Sequence, residues 1–411
     1  MPINFFPLTM WLSSRLVIII VMLLIAPLIP APPNGVAAKF DWDVFSAWDS
    51  GWYGQIANNG YYYSDNNKLY SVAFFPLFPL VTRVFMTFGL SFEVAGTLVN
   101  NLAFLAALGV LYLWVEERYS TSAARWATAV LAWCPYSLYG TVIYTEGLFL
   151  LCSTSALRAF DNKEYAWVAF WGSLATATRI TGLALIPAFL FASWKQRRGT
   201  KAFIASLAAG GGLLLYSLYC QIKFGDFLAF LHAQKGWRSS YGFDWRSWWK
   251  MLMHIVVGPV NVKYGGIRDF SYPLLFAIVV GLGYVLWRFR SQLGFVKARY
   301  GFGFLLFLLW LMAGDAFLKV AIVFGGLFLL WFLRKNIPLA ALIYGFFSYA
   351  MIFNTGLVAS VERYAYAIVS LSFAFGLLLA RYPGLGYLII GFFAIPLVTF
   401  AVRFSQNLWL A

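Results

Sequence analysis

The sequence predicts an all-α polytopic membrane protein, and three observations carry that prediction. The chain is 62% hydrophobic and only 11% charged, with a mean hydropathy of +0.75. A soluble domain carries roughly a quarter of its residues as charges. Long apolar runs such as LVIIIVMLLIAPLI recur along the 411 residues, and basic residues gather at their flanks. Lipid offers the backbone no hydrogen bonds, so only helices and closed barrels cross it. A barrel would show short alternating segments in place of these runs.

Candidate spans fall near 12–31, 93–115, 123–142, 144–160, 165–178, 182–194, 202–222, 271–288, 301–313, 316–333, 338–357, 364–380 and 385–403. A bundle of about 11–13 transmembrane helices follows, several shorter than the ~20 residues of a straight crossing. The first span resembles a signal peptide but lacks a small-residue cleavage site and runs into Pro32-Pro33, so it is expected to be retained. The 166–194 stretch exceeds one helix and is expected to break at Arg179-Ile180-Thr181-Gly182.

Basic residues in short loops mark the cytoplasmic side. With the N-terminus there, Arg15, Arg118, Arg125, Arg158, Lys163, Lys195, Arg197, Arg198, Lys201, Arg288, Arg290, Lys297, Arg299, Arg334, Lys335 and Arg381 all lie inside. The acid-rich segments 32–92, 140–146, 223–270 and 358–364 then share the outer face. No internal repeat is evident, so residues 1–411 are expected to form a single transmembrane domain with sizeable outer loops at 32–92 and 223–270.

The net charge of +15 would suggest nucleic acid in a soluble protein. Here orientation and anionic headgroups account for it. Cys134, Cys152 and Cys220 lie in apolar spans, and no Cys/His group has metal-ligand spacing. Asp41-Trp42-Asp43 is only loosely like a chelating pair, so no metal and no cofactor is expected. Sequons are absent and the outer loops are short, which points to a bacterial plasma membrane, with the endoplasmic reticulum as the alternative.

The most unusual segment is 41–80, where four acids sit among many aromatic residues in an aqueous loop. Read as a helix, Asp43 to Ala57 places Phe45, Trp48, Trp52 and Ile56 on one apolar face, stopped by Asn58-Asn59-Gly60. Asp49 lies between the tryptophans. Two readings stand: a partly desolvated carboxylate suited to a general base, or an interfacial helix whose aspartates face water. Glu146, in Tyr144-Thr145-Glu146, is either a helix-start acid or a site residue. Arg179 is buried in an apolar stretch, where a charge normally faces a partner or cavity. It either clamps a phosphate or snorkels. In the loop after Cys220, Lys223, Lys235, Arg238 and Arg246 alternate with Trp237, Trp245, Trp248 and Trp249. Beside membrane spans this reads as a headgroup-facing surface, not a nucleic-acid surface. His232 is expected to be structural. In Ser360-Val361-Glu362-Arg363-Tyr364, Arg363 either pairs with Glu362 or binds an anion.

In order along the chain, WDSGWYGQIANNGY, AFFPLFPL, PYSLYGTVIYTEGLF, TATRITGL, FGDFLAFLHAQKGW and SVERY resemble motifs of the second-mannose GPI mannosyltransferase family (PIG-V) and its bacterial relatives. Together they cover residues 42 to 364. Phe227 stands where that family usually has proline, Thr145 replaces a serine, and Ile180-Thr181 replace a usual Ser-Asn.

The resemblance implies a C-type glycosyltransferase (GT-C) helical bundle with its site at the outer leaflet. It implies a polyprenyl-phosphate sugar donor, most readily mannose, and a lipid-linked or glycan acceptor. It implies inverting transfer, with Asp49 as the base and Arg179 and Arg363 at the donor phosphate. Trp48, Tyr53, Glu146, Asp226, Gln234 and Trp237 would contact substrate. The main competing reading is a lipid or sugar transporter or flippase, in which Arg179, Asp315 and Lys319 line a pathway.

Overall fold

A computed structural model describes residues 5–64, 66, 68–237 and 241–410. Among these residues the regular structure is helical, and an isolated bridge joins Gly242 to Thr355. Arg238, one of the basic residues named in the second loop, lies outside the described residues.

The first span opens with α1 (Phe6–Ile20) and continues through a π turn to Leu28. The first loop then folds into two short helices, α2 (Asp49–Asn59) and α3 (Leu77–Met86). The long α4 (Phe92–Arg118) follows, capped by the Ser91 side chain on the Val94 amide. Next come α5 (Thr121–Trp133), α6 (Glu146–Asp161), α7 (Tyr165–Thr178) and α8 (Leu185–Lys195). The bent pair α9 (Thr200–Ala208) and α10 (Gly211–Phe224) leads into the second loop. That loop holds α11 (Ala229–His232), α12 (Trp245–Val256) and α13 (Pro259–Tyr264). The C-terminal part comprises α14 (Ser271–Arg288), α15 (Arg290–Ala313), α16 (Asp315–Val320), α17 (Gly326–Phe332), α18 (Leu339–Phe353), α19 (Val361–Tyr366), α20 (Val369–Arg381) and α21 (Pro383–Ser405).

Helices α4, α5, α6 and α20 pack around one another, and α7 lies on α6. Small residues allow this closeness. A Cβ on Gly147 would lie 2.4 Å from the Asn100 carbonyl oxygen, and one on Gly376 2.6 Å from that of Ala123. In lipid, where apolar surface gains little by leaving the solvent, such backbone approach is a main source of helix association.

Among the described residues six helical spans are long and apolar enough to cross a membrane, or seven counting the bent α9–α10 pair. The sequence predicts more because apolar content alone marks α5, α6, α7, α8, α18 and α20 as crossings. A 13-residue helix such as α5 is about 20 Å long, short of the ~30 Å hydrocarbon core. Of these helices α5, α6 and α20 are largely buried, whereas α7 and α8 leave Trp167, Phe170, Phe191 and Trp194 exposed.

Three local expectations are corrected. Arg15 is not a loop residue: the span begins at Phe6, and Arg15 is 1% exposed inside the bundle. The helix expected over Asp43–Ala57 is broken at Ser46–Trp48 into a 3-10 turn (Trp42–Phe45) and α2. The buried stripe of α2 is Ser50, Tyr53, Gly54, Ile56 and Ala57, where glycine at 54 admits the Phe92 ring against the backbone; of the expected face Ile56 is buried there and Phe45 in the preceding turn, whereas Trp48 is exposed. The predicted 123–142 span is likewise interrupted, since Pro135 opens a 3-10 turn (Pro135–Gly140) after α5. The predicted break at 179–182 is observed: α7 ends at Thr178, and a 3-10 turn (Ile180–Ala184) precedes α8.

Candidate active site

The segment between α5 and α6 is the floor of the site, and buried polar side chains hold it. Asn100 of α4 donates to the carbonyls of Tyr139 and Val142 at 2.7 Å each and accepts from the Gly147 amide at 2.8 Å. Asn101 donates to the Thr141 carbonyl at 3.0 Å. Arg15 donates to the carbonyls of Ser137 (2.8 Å) and Ala132 (3.1 Å) and to the Ser137 hydroxyl (2.8 Å). It thereby satisfies backbone groups that the break at Pro135 frees. The first loop is tied to the same floor. Ile143 N–H donates to the Phe45 carbonyl at 3.1 Å, and the Ser50 hydroxyl donates to the Ile143 carbonyl at 3.0 Å.

On this floor four charges from four places in the chain converge. Asp49 is the first residue of α2, where the helix dipole favours a carboxylate. Its Oδ2 lies 2.8 Å from Nη1 of Arg363, on the short helix α19. Arg363 Nε is 3.5 Å from Oε1 of Glu146. The same Glu146 oxygen accepts from Arg179 Nη1, which is also 3.3 Å from the Thr145 hydroxyl. Two carboxylates and two guanidiniums thus form one compensated chain, Asp49–Arg363–Glu146–Arg179. The Tyr139, Tyr144 and Tyr364 rings pack against the Arg363 guanidinium at 5.0–5.4 Å. Burial is graded along the chain: the Glu146 side chain is 0% exposed, Arg363 7%, Arg179 11% and Asp49 21%. Glu146 is therefore the fixed counter-ion, and Asp49 is the member open to solvent. Of the two readings open for Arg363, pairing with Glu362 is not observed: Arg363 pairs with Asp49 and Glu146, while Glu362 pairs with Lys319.

Asp49 is preceded by strained backbone. Trp48 has φ +57° and ψ −111°, a conformation costly for a bulky residue and concentrated at functional sites. Its exposed ring meets Trp409 edge-on at 4.9 Å, and beside it a cleft is lined by Ser46, Ala47, Trp48, Gly51 and Asn407. Tyr53, one turn into α2, packs edge-on against Phe74 and Phe78. Burial, then the nearby Asp49 charge, raises its hydroxyl above the ordinary phenol range.

The second-loop residues form a separate group beside α2. Trp237 meets Trp52 and Phe74 edge-on at 5.7 and 5.8 Å. Gln234 approaches the Ala73 carbonyl at 3.5 Å. Asp226 accepts from the Leu228 amide (2.9 Å) and Tyr63 hydroxyl (3.1 Å) and pairs with His232 Nδ1 at 2.7 Å. Partial burial pushes the Asp226 carboxyl upward, but the His232, Leu228 and Tyr63 hydrogen bonds outweigh it and leave it below its ordinary value. Among the described residues no group of three or more His, Cys, Asp or Glu is placed to hold a metal ion.

Sequence reasoning did not anticipate Asn100, Arg15 or the Lys319–Glu362 pair as supports of this region. An asparagine in an apolar helix and an arginine within a span were the available signals.

Residues 8–205 match the mannosyltransferase (PIG-V) family. The matched segment contains Asp49, Glu146 and Arg179. The whole chain is similar in fold to ArnT from Cupriavidus metallidurans, solved with undecaprenyl phosphate, at 14% identity and a TM-score of 0.51 over 94% of this chain. It is also similar to the apo oligosaccharyltransferase of Archaeoglobus fulgidus, at 14% identity and a TM-score of 0.50 over 99% of this chain. It spans 62% and 57% of those two proteins, respectively. No curated protein sequence matches it significantly. These two likenesses show the fold, an all-helical one shared with ArnT and the oligosaccharyltransferase, and the family match covers the N-terminal part of the chain that holds Asp49, Glu146 and Arg179.

Proposed function

We propose that the protein transfers mannose, with inversion, from a polyprenyl-phosphate-mannose donor to a lipid-linked or glycan acceptor at the outer face of a bacterial plasma membrane. The observation that carries this reading is the Asp49–Arg363–Glu146–Arg179 chain, in which the solvent-accessible Asp49 carboxylate pairs with buried Arg363 and the buried Glu146 links that arginine to Arg179.

The chemistry follows from those positions. Donor phosphate takes the Arg363 and Arg179 guanidiniums, whose planar donors match phosphate oxygens. Because Arg363 is already paired with Asp49, the arriving phosphate competes for it and releases the carboxylate. The acceptor hydroxyl then attacks the anomeric carbon from the face opposite the phosphate. Its proton passes to Asp49, a C–O bond forms to the acceptor oxygen, and the bond from carbon to phosphate oxygen breaks. The bonding pair stays on the phosphate, where the fixed arginines stabilise the developing charge. A positioned base contributes typically 10²–10⁴-fold. Glu146 holds both arginines in place. Trp48 and Tyr53 flank the base, and Asp226, Gln234 and Trp237 form the second-loop side on which sugar or acceptor rests. The solved ArnT complex with undecaprenyl phosphate supports a lipid-phosphate ligand for this fold. The transporter reading gains no support from its own residues, because Lys319 pairs with Glu362 and Asp315 with Arg403.

The test is transfer of radiolabelled mannose from polyprenyl-phosphate-mannose to a host lipid extract by the reconstituted protein and by Asp49→Asn. Wild-type transfer that falls at least 100-fold in a folded variant is expected. Equal transfer by both would remove Asp49 from the mechanism, and transfer by neither would remove mannose as the sugar.

A further inference from the structure

Glu362 and Arg363 are adjacent in sequence and oppositely charged, yet the structure sends them to different partners. Arg363 reaches Asp49 and Glu146. Glu362 is fully buried, and its Oε1 lies 3.1 Å from the ammonium of Lys319 on α16. That contact lacks hydrogen-bond alignment, and neither Glu362 oxygen receives a hydrogen bond. Lys319 spends its aligned N–H on the Val358 carbonyl at 2.9 Å. The Glu362 charge is therefore compensated by the Lys319 charge. Asp315, one turn before Lys319, does not divert it: both Asp315 oxygens are held by Arg403 at 2.9 and 3.2 Å. A π turn, Ala321–Gly325, begins two residues after Lys319, an irregularity frequent at functional sites. Ser360, at φ +60°, turns the chain between Val358 and the helix that carries both residues.

We propose that Lys319 is a positioning residue: by neutralising Glu362 it keeps that carboxylate from taking Arg363, and so leaves Arg363 to the substrate phosphate. The inference rests on the reading of Arg363 as a phosphate-binding group. A buried carboxylate stripped of its cation is unstable and seeks the nearest one. The residue that follows Glu362 carries a guanidinium, and a guanidinium drawn toward a further carboxylate has less attraction left for an anion.

This predicts a sign pattern that a merely structural lysine does not produce. In full-length protein in detergent, binding of undecaprenyl phosphate is measured for wild type, Lys319→Met, Lys319→Arg and the double variant Lys319→Met/Glu362→Gln, with melting in the absence of ligand as the check on folding. Lys319→Met should bind at least about tenfold more weakly, equivalent to ~1.4 kcal/mol. Lys319→Arg should bind like wild type. The double variant should recover most of the loss, because the competing charge is gone although the lysine is still missing. A double variant no better than Lys319→Met, or a Lys319→Met that binds like wild type, overturns the proposal. Failure of wild type itself to bind undecaprenyl phosphate overturns the phosphate reading of Arg363, and the proposal with it.

Discussion

Replacing Asn100 by alanine tests whether the floor of the site is built by hydrogen bonds or by packing. The Asn100 side chain is fully buried and serves three backbone groups: the Tyr139 and Val142 carbonyls and the Gly147 amide. The Val142 carbonyl also accepts from the Tyr144 amide, so it is not orphaned by the change. The other two groups are left unpaired in a water-free interior, at about 1–3 kcal/mol each. The expected loss is therefore about 2–6 kcal/mol, read as a shift in the unfolding midpoint of the reconstituted protein at fixed denaturant slope. Asn100→Leu restores the volume but supplies neither donor nor acceptor, so it should lose a comparable amount. A loss under about 1 kcal/mol in Asn100→Ala, or a leucine variant as stable as wild type, would refute the hydrogen-bond account and leave packing as the cause.

Two further outcomes follow from the charge arrangement. Glu146→Gln keeps the shape of the fixed counter-ion but leaves both arginines undercompensated; it should cost about 3–5 kcal/mol, and added undecaprenyl phosphate should recover more stability in the variant than in wild type. An equal ligand response would show that Glu146 does not govern the arginines. Asp226 is held below its ordinary value, so the stability it contributes is present above about pH 4 and is lost as pH falls through its lowered folded value. Asp226→Asn should therefore be less stable than wild type at pH 6, with the gap closing as both are titrated toward pH 3; a gap independent of pH would assign the loss to packing.

The sequence made visible what depends on neighbours along the chain. Arg179 followed by Ile-Thr-Gly marks a helix break, and the break is there. Asn58-Asn59-Gly60 ends α2 with Gly60 at φ +79°, a turn that glycine enters without penalty. The pairings were not legible. Asp49 and Arg363 are 314 positions apart, and no local pattern joins them. The apolar stripe read over Phe45–Ile56 failed because helical spacing presumes an unbroken helix, whereas Trp48 adopts positive φ and starts the helix one residue later. Sequence left Arg363 either to Glu362 or to an anion, and its pairing with Asp49 and Glu146 across the chain could not be read from its neighbours.

Arg15 also bears on how the protein is made. It lies near the middle of the span Phe6–Leu28, and its partners are Ala132 and Ser137, as far as 122 positions along the chain. A lone arginine at that depth costs roughly 2.5–3.5 kcal/mol on insertion scales. The first span therefore enters the bilayer carrying a debt that only the end of α5 can settle. Synthesis runs at about 5–20 residues per second, so roughly 6–24 s separate Arg15 from its most distant partner. The seating of the first helix is thus an assembly step timed by the arrival of the segment that later forms the floor of the site.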